Sequence, residues 1–139
     1  MKDLEVIGRA EIVDFPELGL SNVAAKIDTG AYTSSIHCKE IKQIDEKTLE
    51  CIFLDEEHDA FAGKVHKLTI IDQFSVKSSN GETEIRFMVK SNIKILGNTY
   101  DIFLTLTDRA IMRFPVLLGR KFVKHKFLVD VSLKNQTHK

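Results

Sequence analysis

Apolar and polar side chains alternate through most of residues 84–95, with Met88 and Ser91 as the exceptions. Ile85 and Val89 fall on one side of an extended chain, whereas Arg86 and Lys90 fall on the other. A period of two over this length is typical of a β-strand with one buried and one exposed face. The pattern therefore predicts a long strand in the middle of the chain.

Turn signals and further apolar runs extend the strand pattern in both directions. The tripeptide Leu-Gly-Asn at 96–98 is typical of a hairpin turn and predicts a returning strand over 99–107. Other short strands are predicted at 12–13, 23–27, 49–54, 67–71, 74–77 and 127–131. Helical periodicity is scarce, and the best helix candidate is one or two turns after Gly119-Arg120. Many short strands separated by turns favour a β-barrel or a β-sandwich.

Length and composition predict one globular domain over residues 1–139, with 134–139 as a frayed tail. Twenty basic residues balance 20 acidic ones, so charge gives no argument for a nucleic-acid or membrane partner. No apolar run reaches the roughly 18 residues of a spanning helix, and the N-terminal residues lack the apolar core of a signal peptide. Cys38 and Cys51 are too few for a disulfide framework, which predicts packed or surface thiols in a reducing cytoplasm.

The tripeptide Asp28-Thr29-Gly30 directly follows the strand predicted at 23–27. A carboxylate at the end of a buried strand, followed by a small hydroxyl and a glycine, suits a tight turn in which backbone N–H groups approach the carboxylate. The tripeptide alone is not specific, because Asp-Thr-Gly occurs by chance in many ordinary turns.

A second motif, Leu-Leu-Gly-Arg, lies at 117–120, and the two motifs together are far more specific for a protein family than either one alone. It lies downstream of Asp28-Thr29-Gly30-Ala31, with a β-rich stretch between the two motifs. In this order the motifs resemble the retropepsins, aspartic peptidases in which the apolar pair threads behind the catalytic loop. Over residues 7–130 the chain is also similar to a bacterial retropepsin-like group known as ATP-dependent zinc proteases. The matching blocks are 25–31, 33–37, 76–79, 106–109 and 112–120, together with the single positions Gly81 and Arg86.

The resemblance implies an all-β, closed retropepsin-like (acid protease) barrel with one short helix after Gly119-Arg120, and the activity of an aspartic-type endopeptidase. Aspartic proteolysis needs two carboxylates that share a proton, whereas this chain has one Asp-Thr-Gly. We therefore expect a homodimer in which Asp28 of each copy activates water. The expected catalytic residues are Asp28, Thr29 and Gly30, and the expected substrate-binding residues are Ala31, Ser78, Ser79, Gly81, Arg109 and Arg120. Residues 78–81 fall where a retropepsin flap tip lies, although an ordinary exposed turn explains them equally well.

No cofactor and no metal are expected. The chain lacks His-Glu-x-x-His and a phosphate-binding Gly-rich loop, and its His and Cys residues lack a recognised zinc spacing. The expected partners are a peptide or protein substrate and a second copy of the chain. The substrate would be acidic or glutamate-rich if several arginines line the cleft. Scattered ion pairs with surface Asp and Glu residues are the alternative explanation for these arginines, which are Arg86, Arg109, Arg113 and Arg120. The resemblance alone adds a functional link to an ATP-grasp ligase that attaches glutamates.

Two positions depart from the retropepsin pattern. Lys26 replaces an apolar residue, and strand alternation places it on the face of Asp28, where an ammonium would favour the ionised carboxylate. Tyr32 replaces an acid that usually pairs with the arginine of the Gly-Arg motif, so Arg120 needs Asp108 or the substrate as a partner. Two alternatives stay open: a non-catalytic peptide-binding or adaptor domain on the same barrel, and a zinc-dependent peptidase.

The apolar run at 127–131 lies close to the C-terminus. Retropepsins close their subunit interface with terminal strands, so the run is expected in or beside that interface. A closing strand of the chain's own barrel is the alternative.

Overall fold

The computed structural model describes residues 4–77, 79–108 and 113–136, most of which lie in β-strands. The strands are β1 (Glu5–Ile7), β2 (Ala10–Phe15), β3 (Leu20–Ile27), β4 (Ser34–Gln43), β5 (Thr48–Phe53), β6 (Val65–Thr69), β7 (Asp72–Lys77), β8 (Thr83–Ile95), β9 (Asn98–Thr107), β10 (Val116–Leu118) and β11 (Phe127–Val129). A 3₁₀ turn spans Pro16–Leu18, and the short helix α1 spans Arg120–Val123.

Six of the strands close into a barrel. The order around the ring is β10–β3–β2–β8–β9–β4, and β4 pairs again with β10. Closure gives each strand of the ring a partner on both sides, which satisfies backbone groups that an open sheet would leave at its edges. The predicted closed all-β barrel with one short helix after Gly119 is confirmed.

The barrel interior is filled by alternate side chains of its strands. In β9, Ile102, Leu104 and Leu106 are buried, whereas Asp101 and Phe103 point outward. Each fully buried Leu or Ile contributes about 1.5–3 kcal/mol through removal of apolar surface from water. The period-two pattern in the sequence therefore corresponds to a real division between core and surface.

The strand β4 was not among the predicted ones. Ser34, Ile36 and Cys38 alternate into the interior, but the inward Ser34 is polar, and the register shift between Cys38 and Glu40 interrupts the alternation. Beyond a register shift at Cys38, β4 pairs with β5, and β5 pairs with β6. These strands form a flank outside the six-stranded ring.

Strands near the two chain ends form a separate two-stranded sheet. β1 runs parallel to β11, and Val6 pairs with Leu128. β11 is therefore not part of the barrel ring, which rules out the alternative of a closing barrel strand at 127–131; the expected place in or beside a subunit interface stays a prediction. Val6, Leu128 and the nearby Val131 are exposed apolar side chains.

Both cysteines are packed inside the protein. Cys38 and Cys51 are free, buried thiols on the neighbouring strands β4 and β5. Burial raises the pKa of Cys38 well above the usual thiol value, and the hydrogen bond to Cys51 acts in the same direction.

Among the described residues, no helix is both long and apolar enough to cross a membrane.

Candidate active site

Asp28 lies in a turn directly after β3, where the strand runs beside β10. Its backbone N–H donates to the Leu118 carbonyl at 2.8 Å, and its own carbonyl accepts from the Ala31 N–H at 3.2 Å. The side-chain oxygen Oδ1 accepts from the Gly30 N–H at 3.1 Å. The backbone of the turn therefore fixes the position of the carboxylate.

Gly119 brings the second motif into contact with this turn. Its N–H donates to Ser34 Oγ at 3.0 Å, in a buried position. A Cβ atom on Gly119 would lie 2.5 Å from the Thr33 carbonyl oxygen and 2.7 Å from the Tyr32 carbonyl oxygen. Only a glycine lets the two segments approach this closely. The two motifs, far apart in sequence, thus touch in space.

Arg120, the first residue of α1, stabilises the same turn. Its Nη1 donates to the Thr29 carbonyl at 2.9 Å, and its backbone N–H donates to the Ala31 carbonyl at 2.8 Å. The guanidinium also lies over the Tyr32 ring, with 5.9 Å between the guanidinium carbon and the ring centroid. A backbone carbonyl and an aromatic face therefore take the place of the expected acid, and the suggested pairing with Asp108 is not what the geometry shows.

An open cavity of about 300 Å³ adjoins the carboxylate. Its lining includes Asp28, Thr29, Tyr32, Arg120 and Lys124. Thr29 is exposed and Asp28 is partly exposed, so this end of the barrel faces outward in the single chain. The cavity combines one carboxylate with two cationic side chains, which suits an anionic or peptide ligand.

Lys26 belongs to a row of side chains that crosses the outer face of the barrel. The register pairs Leu117 with Lys26 and with Ser35, and pairs Ser35 with Thr105. Paired residues share one face of a sheet, so these side chains point the same way. Lys26 is exposed on this face, two residues before Asp28.

The predicted flap corresponds to a β-hairpin. β7 and β8 pair antiparallel from Asp72↔Met88 to Lys77↔Thr83. Ser79 and Gly81 are exposed at its turn, and Gly81 has a positive φ of 88° that favours glycine. Two of the expected substrate-binding residues, Ser78 and Arg109, lie outside the described residues.

Histidine and acidic side chains meet at a second place, between β4 and the loop after β5. His37 Nε2 lies 2.8 Å from Asp55 Oδ2, and His58 Nε2 lies 3.8 Å from the other carboxylate oxygen. Sequence reasoning missed this cluster because His37 and Asp55 are 18 residues apart and belong to no recognised motif. Within the described ranges, no group of three or more His, Cys, Asp or Glu side chains is arranged to hold a metal ion.

Asp55 is expected to stabilise the fold at neutral pH. Burial raises its pKa, but hydrogen bonds from the Glu57 N–H and the His37 ring outweigh burial, and the net pKa lies below the usual value. A depressed pKa contributes stability above the unfolded-state pKa of about 4, and this contribution is lost as the pH falls through the folded-state value. Asp55→Asn should lower the free energy of unfolding by about 1 kcal/mol at pH 7. Urea denaturation at pH 7 and pH 3 checks this, with the exposed Asp59→Asn as control; an equal loss at both pH values would contradict the prediction.

Comparison with known families gives a match over nearly the whole chain. A family model described as the RimB-like retropepsin-like aspartic endopeptidase matches residues 6–139. Among solved structures, a protein of unknown function (DUF785) from Legionella pneumophila superposes with a TM-score of 0.76. It is 25% identical, and the superposition covers 97% of this chain and 99% of that one.

Several curated relatives carry the name of a different enzyme. A probable alpha-L-glutamate ligase from Shewanella pealeana is 35% identical over 130 residues, which cover 91% of this chain and 28% of that protein. One from Desulfotalea psychrophila is 33% identical over 142 residues, which cover 94% of this chain and 29% of that protein. The chain thus spans less than a third of the length of the curated relatives it matches.

Proposed function

The chain belongs to the RimB-like family of retropepsin-like aspartic endopeptidases, and on this premise we propose that it hydrolyses peptide bonds as a homodimer. The observation that carries the proposal is the turn 28–30, in which backbone groups hold one carboxylate at an outward-facing end of the barrel. The sequence contains one Asp-Thr-Gly, so each chain supplies one such carboxylate. A second copy related by a two-fold axis supplies the other.

In the proposed mechanism the two Asp28 carboxyls share one proton. The ionised carboxylate takes a proton from water as the water attacks the carbonyl carbon, and the protonated carboxyl donates to the carbonyl oxygen. The tetrahedral diol then collapses with cleavage of the C–N bond: the carboxyl that took the proton from water passes it to the leaving nitrogen, and the other carboxylate regains its proton from a diol hydroxyl. The N–H of Gly30 holds the carboxylate orientation. Arg120 fixes the backbone of Thr29, and the exposed Thr29 is available to contact the partner copy.

The proposed substrate is an acidic, glutamate-rich peptide or protein. Arg120 and Lys124 line the cavity next to Asp28, where they would attract carboxylates. The relatives named as glutamate ligases support a functional link between this chain and an ATP-grasp ligase that attaches glutamates. We place the protein in the cytoplasm, where the two free thiols would stay reduced.

Peptidase assays against protein concentration test the proposal. With a fluorogenic glutamate-rich peptide, the activity per chain should rise with concentration until the dimer is saturated, and a metal chelator should not reduce it. Absence of turnover over a broad set of peptides would refute the proposal. Activity that a chelator removes and zinc restores would favour the zinc-peptidase alternative instead.

A non-catalytic peptide-binding domain is the second candidate function. The exposed Lys26 on the face next to Asp28 favours it, because its ammonium can bind a carboxylate of a peptide without any hydrolysis. This candidate predicts peptide binding that survives Asp28→Ala, with no hydrolysis by the wild-type protein.

The sheet of β1 and β11 is the proposed dimer contact, since it exposes the paired Val6 and Leu128. Leu128→Asp places a charge in that contact and should convert the dimer to monomers, with activity at micromolar protein at least about tenfold lower. Val65→Asp is the matched control, because Val65 is similarly exposed (54% against 56%) but lies on β6. Sedimentation velocity and peptide hydrolysis measure both variants. If Leu128→Asp dimerises normally, the interface lies elsewhere.

A further inference from the structure

Three buried polar atoms have no hydrogen-bond partner within the described part of the chain. They are His37 Nδ1, Arg86 Nε and Thr105 Oγ1. Buried polar atoms are nearly always paired in native proteins, and each exception calls for a reason. These three come from β4, β8 and β9, which are neighbours in the barrel.

The strand register places all three side chains on one face. His37 pairs with Thr107 on β9, and Thr105 pairs with Met88 on β8. Arg86 lies two residues before Met88 and therefore points to the same side. Diagonal neighbours on a sheet have Cα atoms about 7–8 Å apart, within reach of a long side chain. The three side chains are thus neighbours on one face, and we refer to them as the cluster.

The cluster also shares its face with the row beside the proposed catalytic carboxylate. Thr105 pairs with Ser35, which pairs with Leu117, which in turn pairs with Lys26. Lys26 precedes Asp28 by two residues. A peptide that lies across this face and reaches Asp28 would therefore pass over the cluster.

The chemistry of the three groups is complementary to a carboxylate. His37 Nε2 lies 2.8 Å from a carboxylate oxygen of Asp55, which only accepts, so Nε2 carries a proton. A ring that is protonated on both nitrogens donates from Nδ1 as well, toward an acceptor such as a carboxylate. Arg86 contacts Glu84 at 3.9 Å through Nη2, which leaves Nε–H as a donor. The Thr105 hydroxyl supplies a further donor.

Chance packing is a poor explanation for three unpaired buried polar atoms on one face of the sheet. An unsatisfied buried donor or acceptor costs about 1–3 kcal/mol, and three adjacent ones multiply that cost. Valine has nearly the shape of threonine and would remove the penalty at position 105. Met88 lies opposite Thr105, and its flexible side chain can move when a ligand enters.

We propose that Arg86, Thr105 and His37 form a subsite that binds a side-chain carboxylate of the substrate peptide. This inference rests on the proposed peptidase function and adds to it a particular specificity pocket. The subsite is separate from the cavity lined by Arg120 and Lys124, because none of its three residues lines that cavity.

Matched peptides that carry Glu or Gln at a single position test the subsite. For the wild type we expect kcat/KM to favour Glu by about tenfold or more at one position. Arg86→Gln should reduce that ratio to near one, and Arg86→Lys should keep part of it, since the charge remains. Lys90→Gln is the control: it removes a cation from the same side of β8 but should keep the full ratio.

The Thr105→Val variant distinguishes a substrate-binding role of the Thr105 hydroxyl from a purely structural one. The substitution removes an unpaired buried hydroxyl, so we expect the melting temperature to rise by a few degrees. If the hydroxyl binds substrate, the Glu preference should fall at least about threefold in the same variant. A rise in melting temperature with an unchanged Glu preference would overturn the assignment of Thr105.

The experiments distinguish a wrong subsite proposal from a wrong peptidase proposal. If wild-type activity depends on Asp28 but Arg86→Gln keeps the full Glu preference, the subsite is refuted and the peptidase stands. If no peptide is cleaved, calorimetric binding of the same Glu and Gln peptides to the wild type and Arg86→Gln makes the comparison without turnover. Equal affinity of the wild type for both peptides would then refute the subsite.

Discussion

Asp28→Asn should lower peptidase kcat/KM by about 10³-fold while leaving the fold intact. Asparagine keeps the oxygen that accepts from the Gly30 N–H, so the turn retains its main side-chain contact. What it loses is the carboxylate that takes a proton from water. Because both halves of the proposed site derive from the same residue, the substitution removes both carboxylates of the dimer at once.

The measurement is kcat/KM on the glutamate-rich peptide together with thermal unfolding of each variant. The exposed Asp59→Asn is the matched control and should retain wild-type activity. Cleavage by Asp28→Asn at the wild-type rate would exclude the aspartic mechanism. Unchanged peptide binding by Asp28→Ala, combined with no wild-type turnover, would support the adaptor function.

Gly119→Ala should destabilise the protein by about 3 kcal/mol and abolish activity with it. The added Cβ would meet the backbone carbonyl of Thr33 at 2.5 Å, and a backbone atom cannot move aside as a side-chain tip can. Any relief of the clash would shift Arg120 away from the Thr29 carbonyl, to which it donates at 2.9 Å. Stability and the active-site turn therefore depend on the same glycine.

Gly97→Ala is the matched control for that substitution. Gly97 has a positive φ of 78°, but an added Cβ there has nothing within 4 Å, so the cost should be about 1 kcal/mol from backbone strain alone. Urea denaturation measures both variants. Similar losses for the two would show that the close approach of the motifs at Gly119 has no special energetic role.

Local patterns predicted much of the barrel. The alternation around 84–95 and the following turn indicate β8, β9 and the hairpin between them, and the structure has those strands at Thr83–Ile95 and Asn98–Thr107. These elements follow from sequence because the period of two and the turn residues act over only a few neighbouring positions. β4 was missed because one of its inward positions is the polar Ser34 and a register shift between Cys38 and Glu40 interrupts the period of two.

The Gly-Arg motif predicted where Arg120 lies but not which groups its guanidinium contacts. The Gly-Arg motif indicated that this residue lies near the turn 28–30. The expected acidic partner was replaced by the Thr29 carbonyl and the Tyr32 ring, because a guanidinium can satisfy itself with any well-placed acceptor or aromatic face. The choice among such partners depends on geometry that the motif does not encode.

The sequence by itself determined the all-β class, the two motifs and the helix that follows Gly119, since each depends on residues close together in the chain. Only the tertiary structure decided that β1 and β11 form a sheet apart from the barrel, that Asp55 pairs with His37, and that three unpaired buried atoms share one face. The physical reason is register: contacts between strands that are distant in sequence depend on how the barrel closes, and a shift of one residue would turn each side chain to the opposite face.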